Sequence, residues 1–141
     1  MRLKATLRAL SLFGGMAGCL TAQAPAWAAG QNCENAQSQM ALDQCASQDF
    51  KAADANLNAA YRQVVARLKG SPDQAKLLLH AQRAWLDFRD ADCAFRGSGV
   101  AGGSAYPMIV TQCRTSLTTQ RTGEIKSWLH CPEGDLSCPV N

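Results

Sequence analysis

The chain reads as an all-α protein, a small disulfide-stapled bundle of about four helices, on three observations. Apolar residues recur at three- and four-residue steps along most of its length, no stretch shows the sustained period-two alternation that a sheet needs, and seven cysteines stand in only 141 residues. That length holds one domain. With 47% hydrophobic residues, eleven Gly and five Pro, the composition excludes a disordered or collagen-like chain.

Each element follows from local signals. A short helix is expected from about Glu34 to Cys45. Phe50, Ala53, Leu57, Tyr61, Val64, Val65 and Leu68 form the apolar stripe of a second helix over 47–69, which Gly70, Ser71 and Pro72 end. Ser71 or Asp73 can cap a third helix over 73–96, Pro72 suits its first turn, and Leu77 or Leu78, Ala81, Trp85 and Phe88 are its expected buried face. The stretch 97–103, GSGVAGG, is a loop without side-chain bulk. Ser104 can cap a last helix that buries Ile109, Cys113, Leu117, Ile125 and Trp128. The short turn after residue 69 makes the second and third helices antiparallel neighbours, and the last helix turns back.

The first thirty residues look like an export signal. Arg2, Lys4 and Arg8 precede an apolar run from Ala9 to Leu20, and Ala26 and Ala28 give the small-x-small pattern of a signal peptidase site, so residues 1–28 are the expected signal peptide. A second route is open: Met16-Ala17-Gly18-Cys19 resembles a lipobox, in which Cys19 carries lipid and the following residues form a tether. The membrane is a partner only in that case. Either route places the domain, 29–141, in the periplasm or outside the cell, and leaves Cys33, Cys45, Cys93, Cys113, Cys131 and Cys138 as a disulfide framework. Six cysteines allow 15 connectivities. Helix polarity favours Cys45 with Cys93 and Cys33 with Cys113, while Cys131 and Cys138 clip the tail to itself.

Loss of the three basic leader residues takes the formal charge from +3 to zero, 11 basic against 11 acidic residues. No basic stripe with interleaved aromatics remains, which argues against a nucleic-acid partner. His80 and His130 belong to no metal-ligand pattern, and no C-x-x-C occurs, so neither a metal nor a cofactor is expected. Asp87, Asp90 and Asp92 are close in sequence, but successive helical positions point apart and nearby arginines keep carboxylates ionised, so no catalytic pair is expected and the chain is read as a non-enzyme. A slim Gly/Ser loop can enter another protein's cleft, with Arg96 and Ser98 as polar contacts and Asp87 and Asp90 as a local acidic patch. Asp54, Asn58, Gln82, Arg89, Thr118 and Arg121 lie on or beside the apolar stripes, where carboxylate–guanidinium pairing across helices would fix their register.

Several of these segments resemble the LprI-type lysozyme-inhibitor family. The likeness rests on Cys33, QMALDQC ending at Cys45, ADANLNAAY with Asp54, Leu57, Asn58 and Tyr61, AQRAWLDFRDADC with Gln82, Trp85, Arg89 and Cys93, the GGS at 102–104, Cys113, and LTTQR from Leu117 to Arg121. It spans about 33–130; the Cys-containing tail, 131–141, departs from the pattern. The resemblance implies a small, exported, disulfide-bonded helical domain, sometimes lipid-anchored, whose namesake inhibits lysozyme. An inhibitor must cover a sugar cleft worked by two carboxylates, which a rigid loop does without chemistry of its own. Against this, c-type lysozymes are strongly cationic as a class, and the exported chain is neutral. The alternative is a structural or assembly module of the periplasm with a protein partner other than lysozyme.

Overall fold

In the computed structural model the described residues are 33–140; the expected signal peptide and Cys19 lie outside them. Three α-helices carry the fold: α1, Gln39–Arg67; α2, Pro72–Gly97; and α3, Tyr106–Ser127. Short 3-10 turns flank and join them. The expected helix over 34–45 is not a separate element. No Gly or Pro interrupts the chain between Ser38 and Gly70, so helix runs through Cys45 into the stripe beyond it. Its start is set by Ser38, whose hydroxyl accepts from the Ala41 N–H at 3.2 Å. Pro72 opens α2, but neither Ser71 nor Ser104 makes a side-chain cap.

The helices pack differently from the expected succession of neighbours. α3 lies along most of α1, and also against α2, while the α1 and α2 backbones stay apart beyond their turn. Side-chain size explains this. Ala46, Ala53 and Ala60 stand seven residues apart on α1, all buried, and opposite them α3 buries Thr118 and Thr122. Small groups on both helices let the backbones approach closely. α1 and α3 run parallel: Gln39 donates to the Met108 sulfur at 3.9 Å near one end, and Val64 and Leu68 share a cavity wall with Trp128 near the other.

The main core gathers at that second end, from Leu57, Ala60, Val64 and Leu68 with Leu78, Ile125 and Leu129. Val140 joins it, because the Cys131–Cys138 bridge folds the tail back. Gly134, at φ 83°, makes the turn within that clip.

The bridges join Cys33 to Cys45, Cys93 to Cys113 and Cys131 to Cys138, with Cα separations of 5.7, 5.6 and 5.9 Å. Two of the expected pairings are therefore corrected. Cys45 lies well inside α1, where the preceding 3-10 turn brings Cys33 back to it, and Cys93 lies across the α2–α3 corner from Cys113. The closed loops span 12 and 20 residues. Each bridge still stabilises by about 3 kcal/mol through loss of unfolded-chain entropy.

Candidate functional site

α2 presents an unusual division of residues. Its buried positions are Leu78, Gln82, Arg89, Cys93 and Gly97, so two polar side chains point inward, while the expected core residues Ala81 and Phe88 are exposed, as is Leu77. The inward charge is satisfied locally. Arg89, 7% exposed, holds its guanidinium 5.2 Å from the Phe50 ring centre and 5.4 Å from that of Trp85. It donates to Asp90 from Nε at 3.0 Å and to the Thr118 hydroxyl from Nη1 at 3.3 Å. Arg121 repeats the pattern between Trp85 at 5.9 Å and Trp128 at 5.1 Å, donating to Gln82 at 3.3 Å and Glu124 at 2.9 Å. Rings and guanidiniums alternate from Phe50 through Arg89, Trp85 and Arg121 to Trp128, a ladder tying the three helices together.

Asp54 and Asn58 stand outside this ladder. Asn58 donates to Asp54 at 2.8 Å along one face of α1, and neither reaches an arginine. The expected pairing of the Asp54 carboxylate with these guanidiniums is thus corrected, while other members of the expected network do meet across helices: Arg89 donates to Thr118 of α3 and Arg121 to Gln82 of α2, so both arginines already have partners there. These contacts are architectural.

The corner between α2 and α3 has a different character. Gly97 ends α2 in a close approach, where an added Cβ would lie 2.7 Å from Val110 Cγ2 and 3.0 Å from the Tyr106 ring. The chain then passes through a 3-10 turn, Ser98–Val100, and a turn at Gly102 with φ 79°. The Cys93–Cys113 bridge spans the two helices just behind it. Arg96, Ser98 and Val100 are exposed here, and Phe95 is 77% exposed. The corner is braced, and at its surface stand one cation, the hydroxyls of Ser98 and Ser104, and the apolar side chains of Phe95 and Val100.

The acidic residues placed beside it by sequence do not form a free anionic patch. Asp90 accepts from Arg89, and Arg114 Nε lies 3.1 Å from the same oxygen, within charge attraction but outside hydrogen-bond geometry. Asp92 accepts from Arg96 at 2.8 Å. Asp87 is exposed and makes no ion pair among the described residues. Asp92, Cys93 and Cys113 bring one oxygen and two sulfurs within 4.8 Å, yet those sulfurs are bonded to each other and the carboxylate is occupied, so the group is not a ligand set for a metal. Among the described residues no helix is long and apolar enough to cross a membrane.

Sequence reasoning missed Phe95 and Val100 as surface residues and Phe50 and Trp128 as the ladder's outer rings. The spacing of Trp85 and Arg89, one turn apart, was the available signal for the ladder.

Comparison with known proteins adds a lineage to this geometry. The model of the family described as "Lysozyme inhibitor LprI" matches residues 30–125. "Uncharacterized protein R02472" of Rhizobium meliloti (strain 1021) is 42% identical over 126 residues, 82% of this chain and 91% of that protein. "Uncharacterized protein YecT" of Escherichia coli (strain K12) is 36% identical over 61 residues, 37% of this chain and 38% of that protein. No solved structure gives a significant match.

Proposed function

Because the chain belongs to the LprI lysozyme-inhibitor family, we propose that it is an exported, non-enzymatic binding protein that inhibits lysozyme by placing its α2–α3 corner over the enzyme's sugar cleft. The observation that carries this reading is the braced corner itself. A loop held by a disulfide and by the close packing of Gly97 loses little freedom on binding, which is where flexible inhibitors lose affinity. Phe95 and Val100 supply apolar contact, and Arg96, Ser98 and Asp87 supply polar groups. The protein acts in the periplasm or outside the cell after loss of residues 1–28, or from a lipid anchor at Cys19, and its three bridges support an oxidising compartment.

The test is turbidity loss of a cell-wall suspension with several lysozymes, each titrated with the oxidised protein. Gly99→Trp is the informative variant. Nothing lies within 4 Å of a Cβ there, so the fold accepts the ring while the corner becomes too thick for a cleft. Inhibition that falls about tenfold or more in this variant supports the reading; inhibition that is unchanged removes the corner from the mechanism.

One observation favours a second reading. Arg89, Arg114 and Arg96 neutralise Asp90 and Asp92, which leaves the α2–α3 corner without a concentrated acidic face for a cationic enzyme. An assembly module with a non-lysozyme protein partner needs no such face. Pull-down from periplasmic extract, with recovery of one stoichiometric partner and no effect on lysozyme, would select it.

A further inference from the structure

The outward face of α2 carries apolar residues where a helix normally carries charge. Leu77, Ala81, Ala84, Phe88, Ala91 and Phe95 succeed one another at steps of four, three, four, three and four, and all six are exposed, Leu77 at 71% and Phe88 at 55%. Alternating steps of four and three are the spacing of a seam by which one helix packs against another, and no element among the described residues covers it. The stripe runs for about 27 Å.

We propose that this face binds a second copy of the chain, α2 against α2 in antiparallel orientation. Three observations select this occupant. The six positions are symmetric about Leu86: Leu77 and Phe95 lie nine residues to either side, Ala81 and Ala91 five, and Ala84 and Phe88 two. An antiparallel pair centred there sets Phe88 of each copy against Ala84 of the other, large against small, and sets Phe95 against Leu77, the reciprocal matching that a two-fold interface requires. Secondly, an apolar cavity of about 300 Å³ is lined by Leu77, Leu78 and Ala81 together with Val64, Leu68 and Trp128. A cavity of about 150 Å³ already accommodates benzene. The same register brings Phe95 of the second copy to its rim, so each copy offers one aromatic knob and one pocket. Thirdly, the stripe is large enough. With an aromatic side chain contributing on the order of 150–250 Å² when fully buried, the pair covers about 1,000–1,200 Å², the lower range of specific interfaces.

The flanks do not oppose this. The described residues balance at 11 basic and 11 acidic, so two copies meet without long-range repulsion. The proposal and the lysozyme reading both draw on Phe95, which the pairing buries, so a dimer offers an enzyme only the rest of the corner. The pairing leaves Arg96 and Ser98 of each corner free at opposite ends of the dimer.

Sedimentation velocity of the oxidised protein, as recovered from the cells that make it, tests the pairing. We expect a dimer with a dissociation constant on the order of 10 μM. Phe88→Ala, Ala84→Phe and Phe95→Ser each raise it about tenfold or more, with far-UV circular dichroism unchanged because all three positions are exposed. The double variant Ala84→Phe/Phe88→Ala, which exchanges large and small across the two-fold, returns it to within about threefold of the parent. A chain that remains monomeric at about 200 μM overturns the proposal, as does a double variant no tighter than its singles. A monomer whose stripe becomes protected only on adding a lysozyme also overturns it, and assigns the face to that enzyme.

Discussion

Replacing Arg89 with Lys keeps the charge and removes the planar fork, so it isolates what the ladder contributes. In the native chain that guanidinium is 7% exposed, sandwiched by Phe50 and Trp85 and hydrogen-bonded to Asp90 and Thr118. Two ring contacts at about 0.5–1 kcal/mol each, and hydrogen bonds from a buried charged group at about 1.5–3 kcal/mol, put the loss near 3 kcal/mol. A lysine ammonium has a shorter reach to Thr118 and no flat face for either ring, so most of that loss should survive the conservative change. Against a total stability of about 5–15 kcal/mol this is large. Urea unfolding of the oxidised protein followed by circular dichroism reads it as a lower midpoint with an unchanged slope. Pairing the change with Trp85→Leu in a double-mutant cycle should give a coupling of about 1 kcal/mol. An Arg89→Lys protein within about 0.5 kcal/mol of the parent, or a coupling near zero, would show that the ladder is coincidental stacking and that the helices are held by the Leu57–Ile125 core and the Cys93–Cys113 bridge.

Three further outcomes follow from the geometry. Gly97→Ala should destabilise by about 1–3 kcal/mol, since Val110 and the Tyr106 ring occupy the space of the new methyl group, and a thermal melt will show it. Peptide mapping under non-reducing conditions should recover Cys33 linked to Cys45 and Cys93 linked to Cys113; a peptide linking Cys45 to Cys93 would overturn the fold of the α2–α3 corner. The Asp135 carboxylate accepts from the Ser137 hydroxyl and N–H, which hold its pKa below the ordinary aspartate value. The tail contact it makes is therefore present above the unfolded pKa and lost as pH falls through the lowered folded value, and an NMR titration of Ser137→Ala should move the Asp135 pKa back up.

Much of the fold was legible in residue order. Pro72 and Gly97 bracket α2, and the breaker-free run from Ser38 to Gly70 contains all of α1, although the stripe beginning at Phe50 drew attention away from its first turns. The bridge partners were not legible. Assigning cysteines to poles treats helices as rods, whereas Cys33 and Cys45 are joined by a local turn that leaves no periodic trace. The faces of α2 were misread for a physical reason. Hydrophobicity places Phe88 inside, but Arg89, set on or beside the stripe, takes the inward position because a guanidinium between two rings with its donors satisfied is stable there, and Phe88 is displaced to the surface. Of the corner, the glycines and Arg96 are apparent from sequence, while its rigidity rests on the Cys93–Cys113 bridge, which residue order does not single out.

The parallel course of α1 and α3 has a practical corollary for anyone handling the molecule. Cys33 lies at the pole that also bears the Gly-rich corner, whereas the clipped tail packs at the far pole, beside Leu68 and Leu129. Immobilising the protein through its front would crowd that corner, and holding it by the rear leaves the corner open to whatever it meets.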